Sequence, residues 1–207
     1  GEPWAQCNLG INYEHGYGVP QDYEKAVSWY ELAAKQNHAH AQYHLGDCYE
    51  NGKGETKDYE KAVHWYELAA KQNHTEAQTS LGDCYRLGQG VTQDFEKAVY
   101  WYELAVQENH AKAQCHLGIC YENGQGVPED CEKATHLYKL PADQENAEAQ
   151  YLLGCCYEAG RGVNIDFSKA FHWYELAAEQ GNLDAECCLG YCYEHGQGTV
   201  KDPKQAV

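Results

Sequence analysis

The apolar positions of this chain fall into short stripes that recur with a fixed step. In residues 37–72, Ala41, Leu45, Cys48 and Tyr49 stand at i, i+4, i+7 and i+8, one face of a helix with a 3.6-residue period. Gly52 follows where such a helix should stop, as a glycine in the left-handed C′ position does, and Gly52-Lys53-Gly54 makes a turn. Asp58 offers a side-chain N-cap for a second helix. The stripe of that helix is Ala62, Trp65, Tyr66 and Ala69. Asn73 ends it, as do Asn37, Asn109 and Gly181 at the equivalent places, because Asn and Gly tolerate left-handed backbone best. In the last unit the cap position reads Asp202-Pro203, and proline is favoured at the first helical residue.

The step is 36 residues. Leu-Gly occurs at 9–10, 45–46, 81–82, 117–118, 153–154 and 189–190, and the flanking pattern keeps the same register. The units are 1–36, 37–72, 73–108, 109–144, 145–180 and a partial 181–207. Neither helix of a unit can bury its stripe alone, so each packs on its partner and on the next unit. The expectation is an all-α, right-handed superhelical solenoid of antiparallel helix pairs. The glycine after each leucine lets two helices approach closely, and Tyr and Trp fill the space between.

The pattern Ala-Gln-x-x-Leu-Gly-x-x-Tyr-x-x-Gly-x-Gly, followed by Asp-x-x-Lys-Ala-x-x-Trp-Tyr-x-x-Ala-Ala, resembles the Sel-one-like repeat (SLR) family, a relative of tetratricopeptide repeats with a longer turn. The resemblance covers the whole chain. It implies an α-solenoid used as an adaptor in assemblies and names no single ligand. Gly1 aligns with Asn37, and Lys204–Val207 align with Glu24–Val27. Neither end has a polar capping repeat, so the expectation is an excised part of a longer protein.

Charge narrows the partner. The chain has 32 acidic and 15 basic residues, a net −17. A field of that sign repels phosphates and argues against nucleic acid, while favouring basic or polar protein segments. Mean hydropathy is −0.76, and no run of about 18 apolar residues is present, so direct membrane insertion is not expected. No signal peptide is visible.

Eleven cysteines raise the question of disulfides. Cys48, Cys84, Cys120, Cys156 and Cys192 share one repeat column on the buried stripe, and Cys7, Cys115 and Cys187 share another. Equivalent residues in stacked units lie roughly 8–10 Å apart, beyond disulfide reach. Buried thiols acting as small hydrophobes are the expectation, with Cys155, Cys187 and Cys188 left open as a local pair. A cysteine-rich secreted branch that resembles this family bridges the two helices of each unit; Ala33 and Ala34 stand on the second helix here instead.

His38, His40 and His44 are the nearest approach to a metal set, but they lack a further ligand, so no metal or other cofactor is expected. No nucleophile elbow surrounds Ser28, Ser80 or Ser168, and the paired carboxylates recur with the repeat, so no enzyme activity is expected. Candidate binding positions are the first-helix columns that vary between units and face away from the core. They comprise His44, Asp47, Glu50, Asp83, Arg86, His116, Glu122, Glu158 and Tyr191, on the concave face by analogy with tetratricopeptide units. The column Glu14, Glu50, Arg86, Glu122, Glu158 and Glu194 reads equally as an acidic ladder for a partner and as a solvated helix end.

The leading function is a scaffold that binds a peptide or protein partner. A hydrolase-like or small-ligand role, as in cysteine-rich relatives, and a structural spacer are the alternatives. The fourth unit departs from the others: Leu137 replaces Trp, Pro141 replaces Ala and Glu145 replaces the Asn or Gly terminator. A kink, an early stop or tolerated drift near a helix end is expected there.

Overall fold

In the computed structural model, residues 1–202, 204 and 205 are described. The proposed Pro203 start of a further helix, and the alignment that runs on to Val207, lie outside the described residues. The chain divides into two compact units, Gly1–Glu108 and Asn109–Val207. In the first unit α1 (Pro3–His15) pairs with α2 (Tyr23–Ala34), α3 (Ala39–Asn51) with α4 (Tyr59–Ala70), and α5 (Thr75–Leu87) with α6 (Phe95–Gln107). In the second, α7 (Ala111–Asn123) pairs with α8 (Cys131–Asp143), and α9 (Ala147–Ala159) with α10 (Phe167–Glu179); α11 (Leu183–His195) follows. Each unit is a solenoid of antiparallel helix pairs, as the 36-residue step requires.

The helix ends follow local chemistry. Gly52 takes φ 70° after α3, and Asn37 takes φ 62° after α2. The Asp58 carboxylate accepts the Lys61 backbone N–H at 3.0 Å, closing the first turn of α4. The first helices are capped differently. His38 Nδ1 accepts the Ala41 N–H at 3.3 Å, His74 Nδ1 the Ala77 N–H at 3.3 Å, and His110 Nδ1 the Ala113 N–H at 3.4 Å. Asn146 and Asn182 take that place in the last two repeats. An imidazole can accept in this way only through an unprotonated nitrogen.

The expected stripes make the core. Ala41, Leu45, Cys48, Tyr49, Ala62, Tyr66 and Ala69 are all buried. Trp65 is only half-buried, and Val63 and Ala70 complete the buried face of α4 instead. Gly46 is a socket for Tyr66, because a Cβ there would lie 2.6 Å from the ring. A second close approach joins consecutive pairs. At Gly54, with φ 71°, a Cβ would lie 2.5 Å from the Tyr23 carbonyl carbon and 2.8 Å from the Glu24 nitrogen, so this turn sits directly on the first turn of α2. Gly90 meets the backbone of Tyr59 and Glu60 in the same way.

Some buried glutamines are paired between successive helices. Gln42 donates to the Ala34 carbonyl at 3.4 Å and accepts from Gln72 at 2.7 Å, which joins the end of α2, the start of α3 and the end of α4. Gln150 and Gln180 repeat the pairing at 2.8 Å in the second unit.

Of the outcomes expected at Pro141, an early stop does not occur. The helix α8 runs on to Asp143 with Pro141 buried inside it. Pro141 has no N–H for the Leu137 carbonyl, and the helix ends two residues later at Asp143. The Pro141 carbonyl still accepts the Asn146 N–H at 2.9 Å, the bond that Ala33 makes with His38 at 3.3 Å. Glu145 adopts the left-handed φ of 64° that Asn supplies elsewhere.

Candidate functional site

The first-helix positions chosen from the sequence divide between the two units. In the first, the centre is Lys53, in the turn after α3. Its ammonium lies 2.9 Å from Asp47 Oδ2 and 3.2 Å from Glu14 Oε1. Glu14 is buried and also accepts the Tyr30 hydroxyl on Oε2 at 2.6 Å. Burial works against its charge, but the hydrogen bonds from Tyr30 and Lys53 outweigh that and hold the carboxyl below its ordinary range. Burial likewise opposes the Lys53 charge, and Asp47 and Glu14 more than compensate, holding the ammonium above its ordinary range. His44 completes the group: its ring stacks on Tyr30 at 4.9 Å, and Nδ1 is 3.8 Å from Glu14 Oε2.

One repeat on, Glu50 accepts the Tyr66 hydroxyl on Oε2 at 2.5 Å. In the third repeat Asp83 accepts the Tyr102 hydroxyl at 2.7 Å, and Arg86 Nε donates to the same oxygen at 3.2 Å. The structure therefore brings His44 and Asp47 together with Glu14. It joins Asp83 to Arg86 and gives Glu50 a buried phenol. Glu14 and Glu50 stand near a helix end, and each also accepts a hydrogen bond from a tyrosine of the paired helix.

In the second unit Glu122 accepts the Tyr138 hydroxyl at 3.0 Å and forms an ion pair with Arg161. Glu158 accepts the Tyr174 hydroxyl at 2.9 Å, and that hydroxyl also lies 3.5 Å from the Cys155 sulfur. His116, expected on the open face, is buried at 7% exposure. The helices α7 and α9 touch, and its ring is enclosed with Nε2 4.0 Å from Glu148. Tyr191 is exposed and stacks on His195 with ring centroids 4.0 Å apart.

The Tyr column was missed as part of the polar site. Tyr30, Tyr66, Tyr138 and Tyr174 each stand sixteen residues after the glutamate they hold, and that constant offset was a usable signal. All eleven cysteines are free. The first column, at 48, 84, 120, 156 and 192, is buried as expected, and in the second Cys7 and Cys115 are buried but Cys187 is exposed. Burial pushes the Cys48 thiol up to about 12, which suppresses the reactive thiolate. His40 packs edge-on to His74 at 4.6 Å, in an aromatic cluster with Tyr43. Among the described residues no group of three or more His, Cys, Asp or Glu could hold a metal ion, and no helix is long and apolar enough to cross a membrane.

Paired helices on a 36-residue step, with a constant buried frame and no catalytic constellation among the described residues, define an α-solenoid repeat protein. The Sel1 repeat model matches six successive segments, residues 5–38, 39–74, 75–110, 111–146, 147–182 and 183–207, and the chain belongs to the Sel1 repeat family. It is 35% identical to a Sel1 repeat protein from Oxalobacter formigenes, over 99% of this chain and 82% of that one, with a TM-score of 0.94. It is 36% identical to c5321, a protective antigen of uropathogenic Escherichia coli strains, with a TM-score of 0.84; the match covers 99% of this chain but only 44% of that one. The immunity protein Pa5087 from Pseudomonas aeruginosa, 20% identical over 99% of this chain and 78% of that one with a TM-score of 0.62, shares the fold. No curated protein matches the chain.

Proposed function

We propose that this chain is a non-enzymatic protein-interaction scaffold that takes a peptide or protein partner along the face of its first helices, the concave face of arrays of this kind. One observation carries the reading. The buried frame is nearly invariant from repeat to repeat, whereas half-exposed first-helix positions change chemical type, as in Asn8, His44 and Ser80 or Ile11, Asp47 and Asp83. A constant frame with varied display is what a binding surface needs, and a chemical site would instead require one repeat to break the pattern. The net charge of −17 favours basic or polar partner segments.

The test is capture of a saturable partner on the immobilised chain, followed by cross-linking and mass spectrometry. Cross-links should concentrate on the odd-numbered helices, around Ser80, Asp83 and Tyr191. Cross-links confined to the outer helices, around Glu60 and Glu96, would overturn the assignment of the face.

A further inference from the structure

We infer that Glu50 and Glu158 are receptor positions for lysine or arginine side chains of a bound protein segment; the inference rests on the scaffold reading. The repeats themselves show what such a carboxylate accepts. In repeat 1, Glu14 uses Oε2 for the Tyr30 hydroxyl and Oε1 for the Lys53 ammonium from the next repeat's turn. In repeat 4, Glu122 uses Oε2 for Tyr138 and Oε1 for the Arg161 guanidinium, again from the next turn. One oxygen is structural, and the other takes a cation.

Glu50 and Glu158 have the structural half of this arrangement, with Oε2 on Tyr66 at 2.5 Å and on Tyr174 at 2.9 Å. The next turn carries glutamine where those two repeats place Lys53 and Arg161. Gln89 occupies the backbone place of Lys53: each donates its N–H to the cysteine carbonyl five residues earlier, Lys53 to Cys48 at 2.9 Å and Gln89 to Cys84 at 3.0 Å. Gln197 stands to Arg161 in the same relation, with bonds of 3.0 Å to Cys192 and Cys156. Gln197 Oε1 is buried without a hydrogen-bond partner, so this turn carries an unmet acceptor of its own. Acceptors of this kind call for a donor, and a carboxylate oriented by a phenol calls for a charged one. Both kinds of cation already occupy equivalent places within the chain. Ordering the carboxylate in advance lowers the cost of binding, because Tyr66 and Tyr174 fix its rotamer before a partner arrives.

The experiment titrates a ten-residue peptide of alternating Lys and Gly into the isotope-labelled chain at low salt, beside the same peptide with every lysine acetylated. The lysine peptide should shift the side-chain amides of Gln89 and Gln197, and the acetylated peptide should not. Gln89→Lys and Gln197→Arg supply intramolecular cations at these places; together they should weaken binding by about tenfold or more while leaving helicity unchanged. Glu50→Gln, which keeps an acceptor for Tyr66, gives an independent loss at the first position. Equal affinity for the doubly substituted chain, or shifts confined to other surfaces, would overturn the inference. So would the absence of peptide binding at millimolar concentration. None of these results would affect the scaffold reading, which the cross-links to a captured partner decide separately.

Discussion

The Tyr30 hydroxyl donates to Glu14 Oε2 at 2.6 Å, from the second helix of a pair to the end of the first. Tyr30 is fully buried and Glu14 is 5% exposed, so neither group can turn to water for a substitute. Tyr30→Phe should lower stability by about 1–3 kcal/mol, since a charged acceptor is left with one donor fewer. Urea unfolding monitored by helicity checks this, and a change within about 0.5 kcal/mol would show that Lys53 alone satisfies the carboxylate.

Lys53 links Glu14 to Asp47 across a repeat boundary. Glu14 has a folded-state pKa below its ordinary value of 4.5, so its charge contributes stability that is present above that value and lost as pH falls through the lowered one. Lys53→Met should destabilise the chain near neutral pH and shrink this loss in the acid range. Unfolding midpoints measured between pH 7 and pH 3 for both proteins give the comparison.

The histidine caps make a separate acid response. His74 is buried, and burial pulls its pKa down from 6.5 to about 4; Glu76, at 3.3 Å, opposes this, while His40, His44 and His38 add to it. Unfolded chains protonate the ring near pH 6.5, whereas the folded chain keeps Nδ1 free to accept the Ala77 N–H. The contribution is therefore complete above about pH 6.5 and is lost as pH falls towards 4, by on the order of 2 kcal/mol. His74→Asn, the cap found at positions 146 and 182, should flatten stability in that window. An unchanged slope in the variant would rule the cap out as its source.

Thiol accessibility should be graded. Cys187 is exposed and should react first with a thiol reagent in native buffer, while the column from Cys48 to Cys192 should react at the rate of global or local opening. Mass mapping of labelled cysteines over time reads the order directly.

The elements were legible because each repeat states its helices in a short code: an apolar stripe, a left-handed terminator and an aspartate cap. Gly52, Asn73 and Asp58 all act as read, since their roles depend on local backbone chemistry. Pro141 shows the limit of that kind of reading. Its local cost is plain, but how much of the helix remains after it depends on the carbonyl that receives Asn146. The binding columns were legible as positions and less so as chemistry. Asp47 and Asp83 read as exposed charges, yet Lys53, Arg86 and Tyr102 hold them, through contacts that exist only once the helices have packed. Charge reversal at either is therefore expected to cost stability as well as partner affinity. The histidine caps escaped notice because imidazole is an unusual cap beside Asp, Asn, Ser and Thr.

The joint at Gly54 extends this to the history of the chain. Because a glycine there rests on the backbone of Tyr23 and Glu24, this one joint between neighbouring repeats makes few demands on side chains. The same surface is offered by Tyr59 to Gly90, and the residue at the receiving position is free to become Phe167 beneath Gly198. A whole repeat can then be duplicated or deleted in the gene without redesigning this joint. Array length becomes an inheritable variable, adjustable in 36-residue increments, while each copy diverges on its displayed face.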